Sequence, residues 1–137
     1  MEKAVFSLQD YCFTNIILHL SNLDDESTLS LDLEPHGIFD TNQKSFKLIF
    51  DFKAVAEKSE RVVAEVTCEA EFQFKDANSF DEIPPFFFPN SIAIVFPYLR
   101  AMVSTLTLQA NMKRPIILPT MNLSSLQDRL RSQVEIR

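Results

Sequence analysis

Glycine is almost missing from this chain: Gly37 is the single example in 137 residues, and there is no tryptophan. Loops that cradle phosphates need backbone able to approach a ligand closely, so nucleotide-binding loops of that kind are excluded. Histidine and cysteine are nearly as scarce, with only His19, His36, Cys12 and Cys68. Their spacing matches no compact zinc signature, and no serine stands in a nucleophile elbow. Catalysis needs convergent polar groups; none assembles here, so neither an enzyme nor a bound cofactor or metal is expected. Basic residues are outnumbered, 13 against 19 acidic ones, for a net charge of −6. That is the wrong sign for tracking phosphates, which argues against a nucleic-acid partner. Long apolar runs are missing too. None reaches the ~18 residues of a membrane span, and Gln9 and Asp10 interrupt the stretch where the apolar core of a signal peptide would lie. A cytoplasmic protein without membrane insertion is expected, its two cysteines buried as free thiols.

What the chain has in excess is phenylalanine, thirteen of them. These supply apolar area without polar handles and suit packing and greasy contact. The length fits one domain over 1–137, large enough for a core without disulfides or metals.

The first half alternates with period two, the mark of strands with one buried face. Phe6, Leu8, Cys12, Ile16, Leu18 and Leu20 share one parity, while Tyr11, Phe13 and Ile17 take the other. The first strand is therefore either buried on both sides or bulged. A polar turn over 22–27 precedes a second strand with Leu29, Leu31 and Leu33 inward. Residues 35–44 read as a loop holding Gly37. A third strand runs from Phe46 to Ala56, and a fourth from Val62 to Phe74 alternates most cleanly of all. This is the pattern of an antiparallel sheet with one wet face. Pro84, Pro85 and Pro89 then break the strand period. A long helix is expected from Ser91 to about Asn111, capped by Asn90 or Ser91 with Pro97 near its start. A last helix spans about 125–134, with Ser125 and Asp128 as a capping pair.

Three features bear on function. Asp32, Glu34, Glu65, Glu69 and Glu71 alternate with core residues. They form either a plain solvated face or an acidic docking face for a basic partner. The long helix is apolar over more of its circumference than one sheet can cover, which points to a subunit interface through Phe96, Leu99, Met102, Val103 and Leu106. Finally, two loops are apolar, Ile38–Phe39 and Ile116–Met121, continuing to Leu123. Their side chains either fold back into the core or line an exposed groove.

The segment Asn90-Ser-Ile-Ala-Ile-Val-Phe-Pro-Tyr-Leu-Arg, then Met102-Val-Ser and Pro119-Thr-Met-Asn-Leu, resembles the SecB family of export chaperones. Phe96, Pro97, Tyr98 and Arg100 match the family's F-P-Y-x-R helix motif, Pro119 and Asn122 its later loop, and Ala64-Glu65-Val66 its C-E-V strand. The resemblance implies an α+β fold in which a four-stranded antiparallel sheet precedes a long helix and a short C-terminal helix. It implies a homo-oligomer, a dimer of dimers built on the long helix. It further implies binding of unfolded polypeptide clients in grooves formed by Ile38, Phe39, Ile116, Ile117, Leu118, Met121 and Leu123. Glu65 falls where the family's acidic face meets the SecA translocation motor. The family's longer C-terminal tail, which docks on the SecA zinc domain, has no counterpart here, and the glycines of its fourth strand are replaced across Glu69 to Gln73. Two alternatives to an export holdase therefore stand: a chaperone dedicated to one client, such as the antitoxin of a toxin–antitoxin pair, and a small-ligand-binding protein or enzyme.

Overall fold

A computed structural model describes residues 5–23, 28–119 and 123–137. Four long strands come first: β1 (Phe6–Leu18), β2 (Leu29–Asp40), β3 (Ser45–Ala56) and β4 (Val62–Phe74). Helices α1 (Phe87–Gln109) and α2 (Ser124–Ser132) follow, then a short strand, β5 (Val134–Ile136). The sheet order is β1-β4-β3-β2-β5. The first four strands are antiparallel, and β5 lies parallel to β2. The α+β architecture agrees with the sequence reading, but the sheet has five strands where four were expected.

The fifth strand arises where the last helix stops short. The chain leaves helical geometry at Gln133 (φ −121°, ψ 49°) and turns onto the edge of β2. Gly37 N–H donates to the Gln133 carbonyl at 3.0 Å, Arg137 N–H to the Phe39 carbonyl at 2.8 Å, and Thr41 N–H to the Arg137 carbonyl at 3.0 Å. Three residues are too few to show a period. An edge with open donors and acceptors makes this strand, not the local sequence.

β2 itself corrects the expected loop over 35–44, since it runs on to Asp40 and carries His36 inside the strand. Proline is tolerated because odd-numbered β2 residues turn their main-chain groups to the outer edge, where Gly37 and Phe39 bond. The N–H that Pro35 lacks would have pointed away from β3, so no ladder bond is lost. Gly37 is required for space. A Cβ there would run into the Phe46 ring, 2.6 Å from Cε1, and Phe46 is fully buried.

β1 resolves its mixed parity by bulging. Its register against β4 shifts between Leu8 and Asp10 and again between Phe13 and Asn15, leaving Gln9 and Thr14 as extra residues. Phe6, Leu8, Tyr11, Phe13, Ile16 and Leu18 thereby all face the helices. Cys12 is turned to the wet face and is exposed, correcting the expectation of two buried thiols.

The helices cover one face of the sheet. Phe87, at the start of α1, lies at the centre of an aromatic cluster, with ring centroids 4.9 Å from Phe6, 4.8 Å from Phe46, 5.4 Å from Phe72 and 4.7 Å from Phe74. α1 begins four residues before the expected Ser91. Pro89 is compatible with its first turn, where N–H groups have no helical partner. No side chain caps it, and Ser91 is instead buried in the helix, its hydroxyl donating to the Phe88 carbonyl at 3.1 Å. Pro97 lies mid-helix on the solvent side rather than near the start. α2 likewise starts at Ser124 without the expected Ser125 cap, its N-cap position being Leu123. By length and composition α1 could cross a membrane, yet Ile92, Val95, Leu99 and Val103 are all buried against the sheet.

Gly37→Ala is expected to destabilise the fold by about 1–3 kcal/mol through overpacking against Phe46. The measurement is urea unfolding. A lower midpoint at unchanged slope fits, whereas an unchanged midpoint would show that the ring yields freely.

Candidate binding groove

Where α1 ends, the chain adopts a geometry that builds one wall of an open groove. Asn111 takes the left-handed conformation (φ 60°), which asparagine tolerates at a helix C-terminus. Met112 N–H then donates back to the Thr107 carbonyl at 3.1 Å. The buried Thr107 hydroxyl bonds the Val103 carbonyl at 2.9 Å and accepts the Ile116 N–H at 2.9 Å. That anchor pins Ile116 inward at 5 % exposure and leaves Ile117 outward at 66 %. Leu118 again faces in.

Opposite this segment lie Leu20 and Leu23 after β1, and Thr28, Leu29 and Leu31 at the start of β2. The cavity between has a volume of about 510 Å³, within the range of ligand pockets, roughly 300–1,000 Å³. Its described lining is chiefly aliphatic, with Asn111, Lys113 and Arg114 at the polar rim. Leu31 (41 % exposed) and Ile117 stand open on its two sides. The β2 edge beside it is also open. Leu29 and Leu31 turn their main-chain N–H and C=O outward, where they meet no hydrogen-bonding partner among the described residues.

Of the predicted groove residues, Ile116 and Ile117 line this cavity. Phe39 and Leu118 are buried in the core, and Leu123 packs against it. Ile38 points to the other sheet face, beside Ile49 and Glu135. Met121 lies outside the described residues. The two apolar loops are therefore not brought together, because the Ile38–Phe39 stretch lies near the far end of β2. Leu20, Leu23, Leu29, Leu31 and Met112 take its place. The period-two pattern marks Leu29 and Leu31 as inward but carries no signal of whether a helix reaches that end of the strand.

The five carboxylates do share the wet face, but three are already engaged. Lys53 Nζ lies 3.4 Å from Glu65, Lys47 Nζ 3.7 Å from Glu69, and Arg129 Nη1 3.3 Å from Glu34. Gln133 also donates to Glu34 at 2.6 Å. Asp32 and Glu71 are exposed.

On α1, Phe96, Leu99 and Val103 face the chain's own sheet and are buried; Met102 and Leu106 are partly covered. The face of α1 left open carries Ile94, Tyr98 and Leu108. Tyr98 stacks on Tyr11 of β1 at 4.3 Å and 23°, so the open stripe continues onto the β1 edge.

Among the described residues no group of three histidines, cysteines or acids could hold a metal. Burial pushes the Cys68 thiol up from 9.0 to about 11, with smaller contributions from Cys12 and Glu69. The fold therefore favours the neutral thiol, a preference fully present below pH 9 and lost as pH rises toward 11.

The architecture defined by these elements is a SecB-like α+β fold with an added edge strand. It is similar to the Mycobacterium tuberculosis SecB-like chaperone Rv1957, solved with a ChAD peptide from the antitoxin HigA1 (Rv1956). The TM-score is 0.65 at 17 % identity, over 85 % of this chain and 88 % of that one. A looser likeness, TM-score 0.42 at 12 % identity, links 83 % of the chain to 96 % of a Streptococcus agalactiae protein of unknown function. In sequence, 48 residues are 44 % identical to the uncharacterized protein MJ0357 of Methanocaldococcus jannaschii. That match covers 35 % of this chain and only 30 % of the relative's length. No family model matches.

At pH 8 a thiol reagent is expected to modify one cysteine of the folded protein, Cys12, and two after unfolding. Rapid modification of both in the native state would contradict the burial of Cys68.

Proposed function

We propose that this chain is a holdase-type chaperone that captures non-native polypeptide segments in the groove between Leu31 and Ile117, acting in the cytoplasm as a homo-oligomer. The observation that carries the reading is an aliphatic groove left open in the folded chain, with exposed leucine and isoleucine on opposing sides. The SecB-like fold supports it, since a chaperone of that fold has been solved with an antitoxin peptide.

Magnitudes favour an assembly. A segment burying ~400 Å² of apolar surface gains roughly 10 kcal/mol at about 25 cal/mol per Å². Association and ordering cost about 4–15 kcal/mol. One groove alone binds weakly, whereas several on one particle raise the effective concentration of each for the same client. The open stripe of Ile94, Tyr98 and Leu108, continued by Tyr11 and Ile16 on the unpaired β1 edge, supplies a surface for self-association. Oligomers commonly use such self-complementary patches.

A chaperone dedicated to one client has a specific observation in its favour: the peptide seen with Rv1957 comes from an antitoxin. Service to an export motor such as SecA draws less support from the acidic face, where Glu34, Glu65 and Glu69 already have partners.

In aggregation-suppression assays the wild type is expected to protect unrelated unfolded proteins. Ile117→Asp and Leu31→Asp are expected to lose about tenfold in potency with unchanged circular dichroism. Protection of a single client alone would select the dedicated reading, and failure with every unfolded polypeptide would sink the chaperone reading. Light scattering is expected to report an oligomer for the wild type and a smaller species for Tyr98→Glu. A monomeric wild type would remove the assembly from the proposal.

A further inference from the structure

We propose that each groove accepts only a short extended segment, about five residues long, because Arg129 and β5 close the β2 edge beyond Leu33. This rests on the groove being the client site, and it concerns the size and chemistry of what enters.

β2 presents one continuous outer edge through its odd-numbered residues. At the groove end, the outward main-chain groups of Leu29 and Leu31 have no partner among the described residues and lie beside the aliphatic cavity. Such an edge can take an extended peptide by main-chain pairing, with alternate side chains entering the neighbouring pocket. The chain demonstrates that pairing on the same edge, because β5 occupies Gly37 to Phe39.

The way onward is blocked in three steps. Arg129 Nη1 donates to the Leu33 carbonyl at 3.3 Å and is held there by Glu34, also at 3.3 Å. Pro35 then offers no N–H. Gln133 next takes the Gly37 N–H, and Arg137 bonds Phe39 and Thr41. An occupant starting at Leu29 has about 13 Å of edge, at roughly 3.3 Å per residue, before it meets the guanidinium. Side chains two apart fall on the cavity side and must be apolar. Those between fall on the Ser30 and Asp32 side and can be polar. The preferred occupant is thus a short apolar–polar–apolar stretch in extended form.

The test uses fluorescein-labelled peptides with a leucine–threonine–leucine–threonine–leucine core, lengthened at either end by threonine–valine pairs to seven, nine and eleven residues. Binding to the full chain is expected to change less than threefold with length, while the Gly37 and Arg137 amides keep their hydrogen-exchange protection. In a chain that carries Arg129→Ala and ends after Ser132, which lacks both the guanidinium and β5, affinity is expected to climb at least tenfold over the same series. Circular dichroism checks that this variant folds, and the wild-type series tests the limit by itself. A tenfold climb in the wild type, or a flat series in the folded variant, overturns the length limit and leaves the groove reading intact. Failure of every peptide to bind the wild type overturns both.

Discussion

The fold depends on one aromatic contact, that of Phe87 with the sheet. Its ring meets phenylalanines from β1, β3 and β4 at once, within 5.4 Å of Phe6, Phe46, Phe72 and Phe74. Edge-to-face packing of this kind is directional as well as apolar, so it fixes where α1 starts and which face it lays on the sheet. The rest follows from that placement. α1 runs away from the cluster over 23 residues, and its C-terminal end, through Thr107, sets the wall of the groove. With one glycine in the chain, that glycine is used where the same cluster crowds the backbone, beneath Phe46.

Much of this was legible. The alternation of β3 and β4 gave their ends and their buried faces, because each strand has a wet side and a dry side throughout its length. β1 was ambiguous for a physical reason. Its two bulges restore a single apolar face that strict parity counting splits. The extension of β2 through Pro35 was hidden, since proline argues against a strand unless its missing donor is known to face an edge. β5 was invisible because nothing in Val134 to Ile136 makes a strand until the edge is there.

The candidate site was legible only in part. Ile116 and Ile117 were singled out as apolar loop residues, but neighbouring residues in an extended segment face opposite ways, and only the structure says which lies inside. Leu29 and Leu31 looked like ordinary core positions. They became groove residues because the helical layer does not reach that end of the sheet, a matter of relative lengths that no local pattern records. The same reasoning applies to α1. Its apolar excess was visible, but not which residues carry it outward: Leu99 and Val103, expected at a subunit interface, are covered by the sheet, while Ile94, Tyr98 and Leu108 are not.

The Tyr11–Tyr98 stack has an optical consequence. The chain has no tryptophan and only these two tyrosines, and they meet face to face at the junction of β1 with α1. Tyrosine emission and near-ultraviolet tyrosine dichroism therefore arise at a single locality. That locality lies on the open apolar stripe and away from the groove. The molecule thus carries an unlabelled reporter on one surface and is spectroscopically quiet at the other, so that events at the two can be told apart by light alone.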